Sequence, residues 1–440
     1  KNRSTIVAVA TPPGRGGVGM VRLSGPDARA ILSRWVPGEF SSHHLRYAVL
    51  RHRGRVLDDV LAVWMQAPHS YTGEDVVEIF AHGNPSILTE IVHAALEEGA
   101  KAAGPGEFTR RAYLNGRLDL VQAEAVAELI HAESQAEVDA ARGRLEGRLS
   151  ERIAALYDAW LDVLAECEAD VDFPDENLPL SDRPHLAASL STLKRDMAEL
   201  VASYDAQKKL NDGFTIAFVG APNAGKSSLF NALLRNDRAI VTEIPGTTRD
   251  VLREELEIAG RKIRVLDTAG LRDRTEDPIE KIGMDRTQAV LANADLVLWV
   301  VSTQDPDPLL EVPAGRTWKL WNKCDLALPP RGAEALRSFQ VSARTQQGIE
   351  SLRQALLEEV VRQTPALEGG AIANDRQRDW LVMAQSALDR GWQAWQAETS
   401  AEFVAFEFRE GVRALADLLG RADPTEDTLD RIFKTFCIGK

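Results

Sequence analysis

Cysteine is scarce in this chain of 440 residues, which contains only Cys167, Cys324 and Cys437. Three widely spaced thiols cannot form the paired framework of a disulfide-rich protein, and their spacing matches no pattern of zinc ligands. The scarcity therefore excludes a disulfide scaffold and a cysteine-based metal cluster. It favours a reducing compartment, so we expect a cytoplasmic protein. Cys167 lies among apolar residues at helical spacing, where we expect it to be a core residue.

Long apolar runs are also absent. The longest, residues 296–301, is far shorter than the ~20 residues that a membrane-spanning helix requires, and residues 6–10 are too short for the apolar core of a signal peptide. Basic residues do not dominate, because 52 Lys and Arg against 66 Asp and Glu give a net charge of −14. Contact with RNA would therefore need a local basic patch or a partner. We therefore expect no membrane partner. Because the chain does not begin with Met, we also expect that a few residues precede Lys1.

The composition is otherwise that of a folded protein, with 44% hydrophobic and 27% charged residues. A length of 440 residues predicts about three domains. Residues 1–117 mix short β-like runs with helical stretches, which predicts a compact α+β domain. Glycines at residues 14–19 and 104–106 predict tight turns or a close approach to a ligand. The predicted strands are residues 6–9, 18–23, 60–65 and 76–80, and the predicted helix is residues 85–96.

Apolar residues at helical spacing mark residues 118–210 and residues 366–440. One economical interpretation is a single all-α helical domain, split by a domain that is inserted at residues 211–365. Residues 173–177 interrupt the pattern as a loop between helices. The predicted apolar positions are Leu145, Leu149, Ile153, Leu156, Trp160, Val163 and Cys167, then Leu186, Leu190, Leu193, Met197 and Leu200, and finally Trp380, Met383, Leu388, Trp392, Leu415, Leu418, Leu419, Leu429, Ile432, Phe433 and Phe436.

The inserted domain contains a phosphate-binding loop. Residues 214–219 are an apolar run of strand length, residues 220–227 read GAPNAGKS, and a helical segment follows. This strand–loop–helix order is the context that the motif requires. Backbone N–H groups of such a loop surround phosphate oxygens, Lys226 reaches the β- and γ-phosphates, and the hydroxyl of Ser227 binds Mg²⁺. The pattern predicts an α/β domain of the P-loop class.

Two motifs that sense the γ-phosphate follow in the order found in GTPases. Residues 246–250 read GTTRD and lie where switch I is expected, with Thr248 as the second Mg²⁺ ligand. Residues 267–270 read DTAG and follow an apolar strand. Asp267 would bond a water on Mg²⁺, and the amide of Gly270 would contact the γ-phosphate.

Two further motifs predict a pocket for guanine. Residues 322–325 read NKCD, and residues 342–344 read SAR. The carboxylate of Asp325 accepts from both the N1–H and the 2-amino group of guanine, a pair of donors that adenine lacks. The motifs therefore indicate a GTPase. The predicted GTP-binding residues are Asn223, Ala224, Gly225, Lys226, Ser227, Ser228, Thr242, Glu243, Ile244, Pro245, Gly246, Thr247, Thr248, Asp267, Thr268, Ala269, Gly270, Asn322, Lys323, Cys324, Asp325, Ser342, Ala343 and Arg344.

The catalytic machinery differs from that of many small GTPases. Leu271 stands where they place the glutamine that orients the attacking water, and the sequence shows no arginine finger. Asn223, together with carbonyl groups from residues 242–247, would hold a monovalent cation in the place of a guanidinium. On the alternative interpretation, Asn223 only hydrogen-bonds the switch loop.

Along essentially its whole length the chain resembles one family, the MnmE (also called TrmE) tRNA-modification GTPases. The ending CIGK combined with this N-terminal region is typical of that family. The resemblance rests on residues 10–19 (ATPPGRGGVG), 71–75 (YTGED), 82–83 (HG), 105–109 (PGEFT), 118–125 (LDLVQAEA), 173–176 (FPDE), 267–272 (DTAGLR) and 437–440 (CIGK).

The resemblance implies a folate-binding N-terminal domain, similar to the folate domains of aminomethyltransferases, and a homodimer whose GTPase domains pair in the presence of K⁺. By matched position it implies that Glu280 positions the attacking water and that Lys226 is the catalytic lysine of the phosphate loop. The implied metal ligands are Ser227 and Thr248 for Mg²⁺, and Asn223, Thr242, Ile244 and Thr247 for K⁺.

The resemblance also implies a folate site at the N-terminal domain. A carboxylate such as Glu78 suits the donor edge of a pterin, and cations suit a glutamyl tail. Each residue taken alone is more simply interpreted as a member of a surface ion pair. Cys437 is implied to act near the folate as nucleophile or acid–base group; the alternative is an ordinary thiol. The implied ligand is a 5-formyl- or 5,10-methylene-tetrahydrofolate, and the implied folate-binding residues are Arg22, Glu78, Arg117 and Lys440.

The implied function is K⁺-dependent GTP hydrolysis in the service of tRNA modification. In a heterotetramer with the FAD- and NADH-dependent MnmG (GidA) protein, the chain would add an aminomethyl or carboxymethylaminomethyl group to C5 of the wobble uridine, with the methylene carbon from tetrahydrofolate. The chain has no dinucleotide fingerprint of its own, which fits a partner that supplies the redox chemistry. GTP hydrolysis would then act as a conformational switch.

Two alternatives compete with this interpretation. A regulatory GTPase of ribosome assembly predicts an RNA-binding appendage, and residues outside 211–365 contain neither a KH-type clamp nor a basic tail. The second alternative is a folate-dependent transferase whose GTPase domain only regulates it. Such a protein would bind folate, and a strain that lacks it would have normal tRNA.

Overall fold

The structure is a computed structural model that describes residues 4–172, 184–234, 253–258, 260–267, 291, 294–305, 313–330, 336–364, 367–422 and 424–440. The chain forms two compact units. The described residues include no helix that is long and apolar enough to cross a membrane. The first unit comprises Lys1–His131, Ala141–Val201 and Asp375–Lys440, and the second comprises Ala132–Ala140 and Ala202–Asn374.

The N-terminal part of the first unit is a six-stranded sheet with helices, in agreement with the predicted α+β domain. The strand order is β3-β4-β5-β2-β1-β6, and β1 and β6 are parallel whereas the other neighbours are antiparallel. The predicted strands and helix are confirmed, with longer bounds for most. The elements are β1 Ile6–Val9, β2 Gly16–Ser24, α1 Ala28–Trp35, β3 Arg46–His52, β4 Arg55–Met65, β5 Val76–Gly83, α2 Pro85–Glu97, β6 Lys101–Ala102 and α3 Glu107–Leu114.

Helix α2 begins where the sequence supplies a cap. The side chain of Asn84 accepts a hydrogen bond from the Ser86 N–H at 2.9 Å, and Pro85 occupies the first turn, where no partner for its nitrogen is needed. The buried face of α2, which includes Leu88 and Ile91, packs on the sheet. Burial of this apolar area stabilises the domain, because it removes the side chains from water.

The following helices confirm the predicted helical stretch. They are α4 Leu120–His131, α5 Gln135–Leu145, α6 Arg148–Asp172 and α7 Pro184–Asp212. The predicted stripe is buried from Leu149 to Cys167. Leu145 is half-buried and packs against another apolar cluster, so it is a packing residue but not part of this stripe. Leu145 ends α5, and the chain turns at Gly147, whose φ of +96° lies in the left-handed region that favours glycine. The predicted stripe of α7 is buried throughout.

The second unit contains a six-stranded sheet of order β12-β11-β10-β7-β9-β8, in which only β8 is antiparallel to its neighbour. The predicted α/β class of this domain is confirmed. The most apolar run of the sequence forms β10, a fully buried strand inside the sheet. The elements are β7 Phe214–Val219, α8 Lys226–Leu234, β8 Arg253–Ile258, β9 Arg261–Asp267, β10 Leu296–Ser302, β11 Thr317–Asn322, β12 Arg337–Gln340 and α9 Ile349–Gln363.

Three helices complete the first unit: α10 Asp375–Gln396, α11 Ala401–Leu419 and α12 Glu426–Phe433. Of the predicted apolar positions on α10, Leu388 is buried, but Met383 is 56% exposed, so it is not part of the packing face. The buried face of α10 instead includes Gly391, where an added Cβ would lie 2.3 Å from the ring of Phe408. Close contact with α11 therefore requires a residue without a side chain at that position.

Candidate functional site

The predicted nucleotide motifs meet at one edge of the second sheet. Strands β7, β9, β10, β11 and β12 are parallel, so the loops that follow them share the carboxyl edge. The phosphate loop, residues 220–225, follows β7; Asn322 ends β11; and residues 342–344 follow β12. The topology thus brings together segments that are far apart in the sequence.

The phosphate loop is bent at two glycines whose positive φ and close neighbours disfavour a side chain. Gly220 has a φ of +144°, and an added Cβ would lie 2.1 Å from the carbonyl oxygen of Val300. Gly225 has a φ of +91°, and its added Cβ would lie 2.3 Å from the side-chain nitrogen of Asn322. Asn223 is also left-handed, with a φ of +65°. A loop of this curvature is typical of backbone anion sites.

Lys226 begins α8 and is nearly buried. Its ammonium donates to the carbonyl oxygens of Gly220 at 2.9 Å and Ala221 at 3.0 Å. The charge therefore lies over the phosphate loop, as the motif predicts. Ser227 is half-buried in the first turn of the same helix, and Ser228 is exposed.

Asn322 connects the loops of the nucleotide pocket. It is 2% exposed; its amide donates to the carbonyl oxygen of Ala224 at 2.9 Å, and its side-chain oxygen accepts from the Ala343 N–H at 3.3 Å. Next to it, the ammonium of Lys323 donates to the carbonyl oxygen of Asn223 at 2.8 Å. The base motif and the phosphate motif therefore support each other directly.

The two carboxylate oxygens of Asp325 lie in different surroundings. Its Oδ1 accepts from the hydroxyl of Ser342 at 2.7 Å, whereas Oδ2 is buried and accepts no hydrogen bond from the part of the chain that the structure describes. The exposed guanidinium of Arg344 lies 3.4 Å from Oδ2, as a loose ion pair. A buried carboxylate oxygen without a donor is costly, and the N–H groups of guanine would satisfy it.

Cys324 is a half-buried residue of the same pocket. Burial, and secondarily the charge of Asp325, raise the pKa of its thiol. Its Sγ donates to the carbonyl oxygen of Trp321 at 3.1 Å. The thiol is therefore held neutral and serves packing rather than nucleophilic chemistry.

Several predicted site residues lie outside the described residues. Asp267 is placed by its backbone at the end of β9, opposite Phe218, but its side chain is not among those described. The switch and metal-ligand predictions that fall outside are Thr242, Glu243, Ile244, Pro245, Gly246, Thr247, Thr248, Thr268, Ala269, Gly270 and Glu280.

A second cluster lies in the first unit, where β2 and β5 pair. Arg22 and Glu78 are directly opposed in the register of these strands, and the guanidinium donates to the carboxylate at 2.9 Å. The rings of Tyr71 and Phe108 lie 5.5 Å and 5.6 Å from the Arg22 guanidinium carbon. The result is a part-buried ion pair whose guanidinium is flanked by aromatic rings. Aromatic side chains with a few polar groups among them are typical of ligand sites.

Lys440 belongs to this cluster, but Arg117 stands apart. Burial, and secondarily repulsion by Arg22, lower the pKa of Lys440, while Glu78 acts in the opposite direction. The exposed Arg117 lies beside Gly73, and among the described residues no hydrogen bond or ion pair joins it to the other three. The structure therefore brings together three of the four predicted folate residues.

Sequence reasoning missed two members of this cluster, Tyr71 and Phe108. Tyr71 is largely buried, which raises the pKa of its hydroxyl, and its oxygen lies 2.8 Å from the Thr109 hydroxyl oxygen. Both rings belong to segments that carry the family resemblance, YTGED and PGEFT. That signal singled out the segments, but the contacts with Arg22 depend on the fold. Cys437, the third predicted catalytic residue, is exposed on the segment that leads to Lys440.

Known proteins match this chain along its whole length. A family model described as the MnmE helical domain matches residues 120–437, and one described as the N-terminus of the GTP-binding protein TrmE matches residues 5–117. Among relatives named tRNA modification GTPase MnmE, the protein of Syntrophotalea carbinolica is 41% identical with 100% of both chains covered, and that of Heliobacterium modesticaldum is 40% identical with 99% of both covered. The G domain of the T. maritima FeoB iron transporter aligns at 24% identity over 34% of this chain and 98% of that one, with a TM-score of 0.26. Because this identity extends over its whole length, the chain belongs to the MnmE family of tRNA modification GTPases.

Proposed function

We propose that the chain couples K⁺-dependent GTP hydrolysis to modification of C5 of the wobble uridine in tRNA. With the FAD- and NADH-dependent MnmG (GidA) protein, in a heterotetramer, it would add an aminomethyl or carboxymethylaminomethyl group. The names of the relatives support tRNA as the substrate. We place this activity in the cytoplasm and divide the chain into residues 1–117, residues 118–210 with 366–440, and the inserted residues 211–365.

One observation carries the nucleotide part of the proposal. The Oδ2 atom of Asp325 is buried and accepts no hydrogen bond from the described residues. Asp325 follows shortly after Asn322, which contacts the phosphate loop. A purine with adjacent N–H groups would remove this cost, whereas adenine would leave it in place. Discrimination against ATP follows from the same atom.

The chain's own residues would hold the metal ions and water that GTP hydrolysis requires. The curvature at Gly220 and Gly225 and the ammonium of Lys226 fit a phosphate group. Mg²⁺ supplies charge neutralisation during phosphoryl transfer, and Glu280 would orient water. The proposed ligands are Ser227 and Thr248 for Mg²⁺, and Asn223, Thr242, Ile244 and Thr247 for K⁺.

We propose the cluster around Arg22 and Glu78 as the site of a 5-formyl- or 5,10-methylene-tetrahydrofolate. The Glu78 carboxylate is suited to a pterin edge, and the adjacent rings of Tyr71 and Phe108 are suited to its apolar faces. Burial disfavours the charged form of Lys440 and lowers its pKa, so an anionic ligand would stabilise the ammonium group. Bound folate supplies the one-carbon unit, while these side chains bind and orient it; Arg117 would contact the outer, anionic end.

A homodimer is supported by an apolar row on the outer face of the N-terminal sheet. Tyr47 is 65% exposed and lies opposite Leu61, which is 41% exposed. The half-buried Phe80 and Met20 continue the row across β5 and β2. Adjacent apolar side chains on an exposed face are typical of a contact surface.

The proposal is tested by nucleoside analysis of total tRNA from a strain that lacks the protein. The strain is complemented with the wild type, with Lys226→Ala or with Cys437→Ser, and wobble nucleosides are quantified by mass spectrometry. We expect the modification to be lost in the null strain and restored by the wild type alone. A Thr435→Ala variant is the matched control, because Thr435 is an exposed residue of the same C-terminal segment; it should restore modification.

Unchanged wobble uridines in the null strain would contradict the proposed modification and leave a GTPase with another client. If the null strain loses the modification and Cys437→Ser restores it fully, only the proposed role of the thiol is contradicted. If Lys226→Ala restores the modification, the proposed dependence of tRNA modification on GTP is contradicted.

A further inference from the structure

The last residues of the chain form a tail, residues 437–440, that is seated on the N-terminal sheet and α3. The Gly106 N–H donates to the carbonyl oxygen of Cys437 at 3.3 Å. The Phe108 N–H donates to the main-chain oxygen of Lys440 at 3.1 Å. These bonds hold the tail at both of its ends, so the backbone that carries the Cys437 thiol is fixed.

Gly439 lies within the tail at a position that admits no side chain. Its φ is +97°, and an added Cβ would lie 2.4 Å from the carbonyl oxygen of Val9 and 2.8 Å from the Cα of Ala10. Both neighbouring atoms are backbone atoms at the end of β1, so neither can move aside cheaply. The tail reaches its observed place only because residue 439 is glycine.

This turn presents the Gly439 carbonyl to Arg22. The Nη1 of Arg22 donates to that oxygen at 3.2 Å, while the Nε of the same guanidinium donates to Glu78 at 2.9 Å. Arg22 is 8% exposed, and a charged hydrogen bond in such an environment is stronger than one in water. One buried guanidinium therefore connects the tail with the candidate ligand site.

The segment before the tail is equally confined. Gly106 has a φ of +63°, and an added Cβ would lie 2.9 Å from both the carbonyl oxygen of Phe433 and the Cβ of Phe436. Phe436 is itself buried, immediately before Cys437. Cys437 thus lies between a buried aromatic anchor on one side and the Gly439 turn on the other.

We propose that Gly439 is a positioning residue for the Cys437 thiol. Its turn against Val9 places its carbonyl on Arg22 and so holds the tail beside the Arg22–Glu78 pair. Because Arg22 connects the two, a ligand bound at that pair restricts access to Cys437. This last step rests on the folate site proposed above, whereas the positioning of the tail does not.

The first test uses Gly439→Ala with Gly99→Ala as its matched control. Gly99 also has a φ of +97°, but nothing lies within 4 Å of its added Cβ, so the control carries the backbone strain without the clash. Amide hydrogen exchange of Gly106 and Phe108 is measured in the full-length protein without ligand. In Gly439→Ala we expect exchange about tenfold faster, because their acceptors lie on the tail. Gly99→Ala should exchange like the wild type.

Equal exchange in Gly439→Ala and the wild type would overturn the positioning role. Equal acceleration in both variants would overturn it as well, since strain alone would then account for the effect. Circular dichroism and the melting temperature of each variant show whether it is folded at the temperature of the measurement.

The second test measures alkylation of Cys437 by iodoacetamide, quantified on the C-terminal peptide by mass spectrometry, with and without 5-formyl-tetrahydrofolate. We expect the ligand to slow alkylation about tenfold in the wild type and in Gly99→Ala. In Gly439→Ala we expect little protection although the folate still binds, as measured by equilibrium dialysis. Protection retained in Gly439→Ala would overturn the link between the tail and the site. If the wild type binds no folate, the proposed folate function fails, and the exchange measurement decides the positioning role by itself.

Discussion

The side-chain amide of Asn322 donates a hydrogen bond to the carbonyl oxygen of Ala224 at 2.9 Å. Asn322 ends β11, whereas Ala224 belongs to the loop between β7 and α8, so the bond joins the base-binding and phosphate-binding motifs. The same side chain also accepts from Ala343 in the third loop. The nucleotide pocket is thus braced by one buried asparagine, in addition to the groups expected to contact GTP.

Asn322→Ala should weaken GTP binding about 10- to 100-fold, because two buried hydrogen bonds are lost and their partners are left unsatisfied, at about 1–3 kcal/mol. Titration with a fluorescent GTP analogue measures the change. Gln346→Ala is the control, since Gln346 is exposed and its side chain makes one hydrogen bond among the described residues, to the Ala343 carbonyl oxygen. Wild-type affinity in Asn322→Ala would contradict the bracing role.

Asp325→Asn should reduce GTP binding by about 100-fold or more, because an amide nitrogen would face the N–H groups of guanine. The same amide can donate to the 2-oxo group of xanthine, so XTP should become the better substrate. Hydrolysis rates with GTP and XTP at equal concentration measure the change in base specificity. A variant that loses both substrates equally would show that Asp325 acts on folding of the pocket instead of on base choice.

GTP hydrolysis should be about tenfold or more faster in KCl than in NaCl at equal ionic strength, because the proposed loop fits the larger ion at a place where positive charge stabilises the transition state. Asn223→Ala should remove this difference while GTP binding persists. Phosphate release at a series of KCl concentrations is the measurement. Equal rates in the two salts for the wild type would end the cation proposal.

Glu280→Ala should slow turnover about 100-fold with GTP affinity near normal, since the proposed role of Glu280 is to position water and not to hold the nucleotide. Single-turnover hydrolysis and equilibrium binding are measured on the same preparation. Glu276→Ala, in the same acidic stretch of the sequence, serves as the control. If Glu280→Ala instead lost GTP binding, the matched position would be wrong.

Lys440 should make stability depend on alkaline pH. Burial and the charge of Arg22 lower its pKa in the folded state below the 10.5 of an unperturbed lysine. Between the folded-state and unfolded-state pKa values of Lys440, the unfolded chain binds more protons than the folded chain, so the free energy of unfolding rises with pH. Below the folded-state pKa, the lysine is charged in both states, and the folded protein bears the full cost of burying that charge. Lys440→Met should therefore melt at a higher temperature than the wild type below the lowered pKa.

The difference in melting temperature between Lys440→Met and the wild type should shrink as the pH approaches 10.5, where the unfolded lysine also loses its proton. Lys434→Met, at an exposed lysine of the same C-terminal segment, is the control for the removal of one positive charge. Melting temperatures measured at intervals of pH test both variants. A difference that widens with pH would mean that the charge of Lys440 is stabilised by its surroundings.

Local patterns in the sequence were sufficient for most of the fold. Strand β7, the helix after the phosphate loop and α2 follow from apolar runs, glycine and caps that act within a few residues. The face of α10 was not predictable in this way. Gly391 is buried there because the ring of Phe408 requires the space, while Met383 is left exposed. An apolar pattern cannot identify a face formed by small residues.

In the candidate sites, too, some residues were predictable from local sequence and others only from the tertiary structure. Asp325 and Lys226 were predicted from their motifs, because each acts on the nucleotide within a loop of fixed local geometry. The pairing of Arg22 with Glu78 required the register of β2 against β5, and the placement of Tyr71 and Phe108 around Arg22 required the fold of the domain. None of these contacts can be read from spacing in the sequence.

The sequence by itself determined the class of the inserted domain, the preference for guanine and the family, because phosphate loops and base-binding motifs are short segments with fixed chemistry. Tertiary structure alone decided that Gly439 lies against Val9 with its carbonyl on Arg22. Strand β1 and the tail meet there through backbone packing. Such contacts depend on where whole elements lie in space, and no local propensity encodes them.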